Sequence, residues 1–189
     1  MTTEGFTDLD SSIRAATLGL ESLNTPSPEV LLLLGTGVED ITPLLEEPVE
    51  VALSDLPGVP EAWRRAQLIA GRMNEVRVWA CTDAPATDAV PWARAWPVWL
   101  ARASGAGACL VTAAGSALPD ATPPLPAEGY LLVEDHLVLE GVSALCGLAS
   151  SNLGPLFPDQ GSVHDASLRR DLLREGARRG LVCVEGVLA

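Results

Sequence analysis

Three observations predict an α/β fold for this chain. The run Val30 to Leu34 is apolar without alternation and ends in the turn Gly35-Thr36-Gly37, as a central strand covered on both faces would. Short strand-like runs alternate with stretches of helical period along the chain. The chain has 189 residues, 48% of them apolar, which is enough for one core, so a single domain over 1–189 is expected.

The elements follow in order. Asp10 or Ser11 can cap a first helix whose stripe is Ile13, Ala16, Leu20 and Leu23, and Asn24 to Pro28 ends it. After Val30 to Leu34 come strand candidates at Val49 to Leu53, Ala66 to Ile69 and Val76 to Ala80. A helix over Ala93 to Ser104 carries Trp96, Trp99, Leu100 and Ala103 and stops at Gly105, before a strand from Ala108 to Thr112. Asp120 to Gly129, rich in proline, reads as a stiff loop into the strand Tyr130 to Glu134. Leu168 to Arg179 is a helix with Asp165 at its start and arginines at its end, and Leu181 to Val184 is a last strand.

Composition removes several functions. The net charge is −13 and every cation is arginine, so nucleic-acid phosphates and anionic lipid head groups are repelled, and neither is an expected partner. Without lysine there is no Schiff-base or P-loop chemistry. No apolar run approaches the roughly 18 residues a membrane helix needs, and the acidic start is no signal sequence, so a cytoplasmic protein is expected. Cys81, Cys109, Cys146 and Cys183 are widely spaced with two histidines in the chain, so no metal site is expected. Cys109 and Cys183, inside apolar runs, read as buried thiols.

The Gly35-Thr36-Gly37 turn presents backbone amides and a hydroxyl at the carboxyl end of a strand, a place where anions bind. It is not a full dinucleotide fingerprint, because Asp40 stands at the third glycine position and Glu39 beside it is also acidic. The plainer reading is a tight turn that packs strand on helix.

Six segments in order, EVLLLLGTGVED, DLPGVP, LVTAAGSALP, YLLVEDHLVL, LFPD and VEGVLA, resemble the purine nucleoside phosphorylase family, in its smaller-subunit, trimeric branch. The likeness spans roughly Ser11 to Ala189 but only about the first two thirds of a family member. It implies a phosphorylase/hydrolase-like three-layer fold, a central mixed β-sheet flanked by helices, with the C-terminal third missing. The family reaction it implies is phosphorolysis of purine ribonucleosides to free base and ribose 1-phosphate, with inorganic phosphate as co-substrate and no other cofactor. A homo-oligomer, a trimer in that branch, is implied with it.

The same resemblance assigns residues. Thr36 falls on the phosphate-binding Ser of the family, flanked by Gly35 and Gly37, and Ala114 falls where a backbone amide faces phosphate. Cys81, Asp83 and Pro85 stand where the family has the Arg and His that grip phosphate and the Tyr that reaches ribose, and Leu188 stands in place of another ribose-side Tyr. A like charge about 4 Å from phosphate costs roughly 4 kcal/mol at an effective dielectric near 20. Activity is therefore expected to be reduced or lost. The alternative is a silent relative serving as a structural or partner subunit, or a small-ligand-binding module.

Arg64, Arg65 and Arg72 are the candidates to replace the lost cations, against the plainer reading of a solvated cluster. His136 reads as a structural histidine at a strand end and His164 as a surface residue. Trp92, Trp96 and Trp99 read as core before they read as a stacking platform for a base. The catalytic residues are left unassigned.

Overall fold

The first helix, α1 (Glu4–Ser22), starts before the expected cap, so Asp10 and Ser11 lie in its interior. The reason is Leu9, one turn ahead of Ile13: Leu9, Ile13, Ala16 and Leu20 form one stripe, all at or below 5% exposure, and Leu23 falls outside it, exposed. The helix closes with Asn24 in the left-handed region at φ 54°, where Thr25 N–H donates to Leu20 O and Asn24 N–H to Glu21 O. The computed structural model describes residues 4–35, 41–82, 91–118, 125, 128–139, 143–145 and 161–189. These group into two compact units, Met1–Ala114 with Ser143–Leu156, and Gly115–Val142 with Phe157–Ala189.

The first unit holds a five-stranded sheet in the order β2-β3-β4-β1-β5, built from β1 (Val30–Leu34), β2 (Glu46–Ala52), β3 (Gln67–Met73), β4 (Val76–Thr82) and β5 (Ala108–Val111). β4, β1 and β5 are parallel, whereas β2, β3 and β4 form an antiparallel meander. Strict alternation of strand and helix, as read from the sequence, fails there. The β3–β4 connection is a two-residue hairpin with Asn74 at φ 48° and Glu75 at φ 71°, a type I′ geometry without the usual glycine signal. The sheet is mixed, and the α/β class with flanking helices holds.

β1 is central, as its composition requires. Leu31 and Leu33 face a core with α1 and α3 (Trp96–Ala103), while Leu32 and Leu34 face a smaller cluster with Leu45, Ile69, Val78 and Ala80. The expected helix over Ala93 to Ser104 is broken into α2 (Pro91–Arg94) and α3, because Pro97 carries no N–H and Ala95 leaves the helical region. β5 is an edge strand among the described residues. Cys109, Leu110 and Val111 are exposed there, so Cys109 is not the buried thiol that its apolar neighbours suggested.

Three tryptophans are fully buried, and each indole N–H is paired. Trp63 donates to Ala93 O (2.6 Å), Trp79 to Pro26 O (2.7 Å) and Trp96 to Ser12 Oγ (2.8 Å). Ser12 in turn donates to Gly58 O at 2.5 Å, one hydroxyl relaying between α1, α3 and a loop. Gly58 has φ 77°, and a Cβ there would lie 2.9 Å from Ser12 Cα. Trp92 and Trp96 are core residues and Trp99 packs against them, so the tryptophans form no open platform.

The second unit is a β-α-β crossover of β6 (Tyr130–His136), α4 (Ala166–Arg178) and β7 (Cys183–Leu188), with the two strands parallel. β7 begins two residues after the expected start and runs further, and Cys183 is only half-buried. Asp165 caps α4, its Oδ1 accepting from Ser167 N–H and Leu168 N–H, both at 2.8 Å. Close packing of α4 on β7 needs Gly176, since a Cβ there would meet Cys183 Sγ at 2.6 Å. No helix among the described residues is long and apolar enough to cross a membrane.

Ser12→Ala should lower stability by about 1–3 kcal/mol, because Trp96 N–H and Gly58 O both lose a buried partner; urea unfolding of the variant measures it, and an unchanged midpoint would rule the relay out. Acid should loosen α4 separately. Hydrogen bonds from Arg178 and then Arg179 pull the Glu175 carboxyl down to about 2, and the Ser167 hydroxyl lowers that of Asp165. Both folded values lie below the unfolded ones, so this support is complete above about pH 4.5 and fades as pH falls toward 2. Glu175→Gln should flatten the acid limb of a helicity titration over that range.

Candidate functional site

The parallel strands of the first unit bring three chain segments to one edge of the sheet. Leu34 pairs with Thr82 across β1 and β4, and Leu33 with Val111 across β1 and β5. The carboxyl ends of all three strands therefore finish in line, where open α/β sheets receive ligands.

At this edge β1 and β5 are tied beyond their last paired residues. Thr112 N–H donates to Leu33 O at 2.9 Å, and Gly35 N–H donates to Thr112 Oγ1 at 3.0 Å. The approach is tight enough to require glycine: a Cβ on Gly35 would sit 2.4 Å from Thr112 O and 3.0 Å from Ala113 Cα. Thr112 is half-buried, and Ala113 and Ala114 beside it are exposed. The Thr112 hydroxyl accepts from Gly35 and still has its own proton to offer outward. The Gly35 amide, by contrast, is already engaged.

The other assigned residues divide three ways. Thr36, Gly37, Asp83 and Pro85 lie outside the described residues, as does Cys146. Cys81 is 1% exposed and belongs to the core around Trp79 and Leu68, so its thiol is packed inward and not offered to a ligand at the edge. Leu188 closes β7, exposed and in register with His136.

The two histidines meet in the second unit. His136 Nδ1 and His164 Nε2 are 3.1 Å apart with the rings edge to face, and both are half-buried. His164 is thus no plain surface residue. Their separation of 28 positions hid the pair, and the only sequence signal is that each stands beside an aspartate at an element boundary. His136 N–H donates to its neighbour Asp135, and Arg169 donates to His164 O and to Glu185, which ties β6, β7 and the start of α4 together. No group of three or more metal-binding side chains occurs among the described residues.

No protein-family profile matches the chain. It is 28% identical over 152 residues to purine nucleoside phosphorylase 1 of Bacillus subtilis (strain 168), covering 75% of this chain and 53% of that one. With purine nucleoside phosphorylase 1 of Geobacillus stearothermophilus it shares 24% over 169 residues, 85% of this chain and 59% of that one. The chain thus spans little more than half the length of these curated relatives. Among solved structures, Schistosoma mansoni purine nucleoside phosphorylase with a monocyclic inhibitor superposes with a TM-score of 0.84 at 18% identity, over 94% of this chain and 69% of the other. A Schistosoma mansoni purine nucleoside phosphorylase in complex with adenosine gives 0.82 at 17% identity, over 94% of this chain and 65% of the other. The chain is related to the purine nucleoside phosphorylases and shares their fold.

Replacing Thr112 tests the tie at the sheet edge. Thr112→Val should destabilise by about 1–3 kcal/mol because the Gly35 amide loses its acceptor. Thr112→Ser should keep most of that stability. Equal denaturation midpoints for the two variants would show that the hydroxyl carries nothing.

Proposed function

We propose that this is a purine nucleoside phosphorylase-like protein that keeps an oxyanion subsite at the carboxyl edge of β4, β1 and β5, with phosphorolysis of purine nucleosides reduced or lost. The observation that carries the reading is the Thr112 hydroxyl at this edge, which accepts from Gly35 N–H and keeps its own proton to donate, in a chain related to phosphorylases. Exposed Ala113 and Ala114 lie next to it, at the position where the family turns an amide toward phosphate.

Reduced turnover follows from the cation position. Cys81 stands where the family has a phosphate-gripping Arg, and its side chain is core. An anion here meets backbone dipoles and hydroxyls without that charge, on a protein of net charge −13. A neutral hydrogen bond is roughly half as strong as a charge-assisted one, so phosphate is held weakly and a developing negative charge is poorly stabilised.

A second reading rests on a separate observation. Among the described residues β5 is an edge strand with Leu110 at 43% and Val111 at 61% exposure, an apolar edge of the kind that another chain covers. That favours a partner or self-assembled subunit, a homo-oligomer such as a trimer, in which this chain is silent.

Thermal unfolding with phosphate, inosine and guanosine, singly and paired, followed by a base-release assay, separates the readings. A ligand at about 100 times its dissociation constant stabilises by roughly 2.7 kcal/mol, a rise of several degrees for a domain of this size. Phosphate should raise the midpoint while base release stays slow at high protein concentration. Efficient release would refute the loss of activity, and no response to phosphate would remove the oxyanion subsite.

A further inference from the structure

We infer that Arg65 is the cation this edge of the sheet uses to hold an anion, in place of a charge on β4. The inference rests on the oxyanion subsite proposed above and names the residue that completes it.

The sheet register selects among the arginines. β3 runs antiparallel to β4 with Leu68 opposite Cys81, so the residues that lead into β3 lie at the edge where β4 ends. Arg65 is three residues before Leu68. Arg72 is opposite Arg77, at the far end of the same strand pair. Five residues of strand, about 16 Å, separate Arg77 from Thr82, so Arg72 serves the wrong edge. Arg72 is also paired with Glu75 at 2.6 Å, and Arg64 with Glu61 at 3.4 Å. Arg94, in α2, already interacts with a neighbour. Arg65 is exposed and has no ion pair or hydrogen bond among the described residues.

Its backbone is held firmly. Trp63, 2% exposed, anchors the turn through its indole bond to Ala93 O. Ala66 N–H donates to Trp63 O at 3.0 Å and Leu53 N–H to Ala66 O at 3.1 Å, so the turn bearing Arg65 is fastened to α2 and to the end of β2. From β3 to β1 is two strand spacings, about 10 Å, which an extended arginine and a tetrahedral anion can span between them. A guanidinium offers the planar, permanently charged fork suited to phosphate, and an exposed position two residues outside the strand leaves the core unchanged.

The ligand class is a phosphate-like dianion, and the probe is inorganic phosphate, titrated calorimetrically into the full chain. Arg65→Ala should weaken phosphate binding about tenfold or more, and Arg65→Lys should recover part of the loss. Arg72→Ala, which removes the same charge from the opposite edge, should bind as the unmodified chain does. Each variant is first matched for its unfolding midpoint without phosphate. Undiminished binding by Arg65→Ala would overturn the assignment while leaving the subsite in place, as would equal weakening in both alanine variants, which reports only net charge. No phosphate binding by the unmodified chain would overturn the subsite and the assignment together.

Discussion

The first unit depends on β1 being covered on both faces and paired on both sides. Leu31 and Leu33 point into the tryptophan-lined core, Leu32 and Leu34 into the second cluster, and β4 and β5 flank the strand in parallel. A strand so enclosed cannot slip by one residue without exchanging its two apolar sets between cavities of different shape. That fixed register brings Gly35, Thr82 and Thr112 to a common level. The geometry of the edge is therefore a consequence of core packing, and it does not depend on a ligand being held there.

The electrostatics of that edge run against the geometry. The Thr112 hydroxyl can donate to an anion, but the chain carries an excess of carboxylates and most described arginines are already engaged with them. Burial of Cys81 closes the most direct route for a cation from β4. An anion at this place needs charge from a neighbouring strand, and β3 is the strand that enters where β4 leaves. The antiparallel meander matters chemically for this reason: it carries the start of β3 to an edge otherwise built only from strand ends.

Much of this was legible in the sequence and some was not, for physical reasons. Val30 to Leu34 reads correctly because a doubly buried strand leaves no alternation, and α4 reads to within two residues because Asp165 marks its start locally. The strand candidates at Val49 to Leu53, Ala66 to Ile69 and Val76 to Ala80 already stood in succession without a helix between them, but the hairpin joining β3 and β4 uses Asn74 and Glu75 in place of an Asn-Gly pair, so no local signal marked its antiparallel turn. Cys109 looked buried because its neighbours are apolar, yet whether an apolar strand is covered depends on what lies beside it. The histidine pair, the Ser12 relay and the Thr112 bond join residues 28, 84 and 77 positions apart, and no local pattern encodes such contacts.

Residues that keep a family pattern differ in what they say about chemistry. Gly35 is required by packing: any side chain would strike Thr112 O, whether or not phosphate ever binds. Its retention informs about the fold. Thr112 has both duties, since its hydroxyl satisfies a backbone donor and keeps a proton of its own to donate. Positions with no packing duty are free to follow function, and an exposed arginine on a rigid turn is one of them. Arg65 leaves no cavity and breaks no bond when removed, so a change in anion affinity on its removal would have no structural cause to hide behind. The chemistry of this chain is therefore better judged from Arg65, which the fold does not need, than from Gly35, which it does.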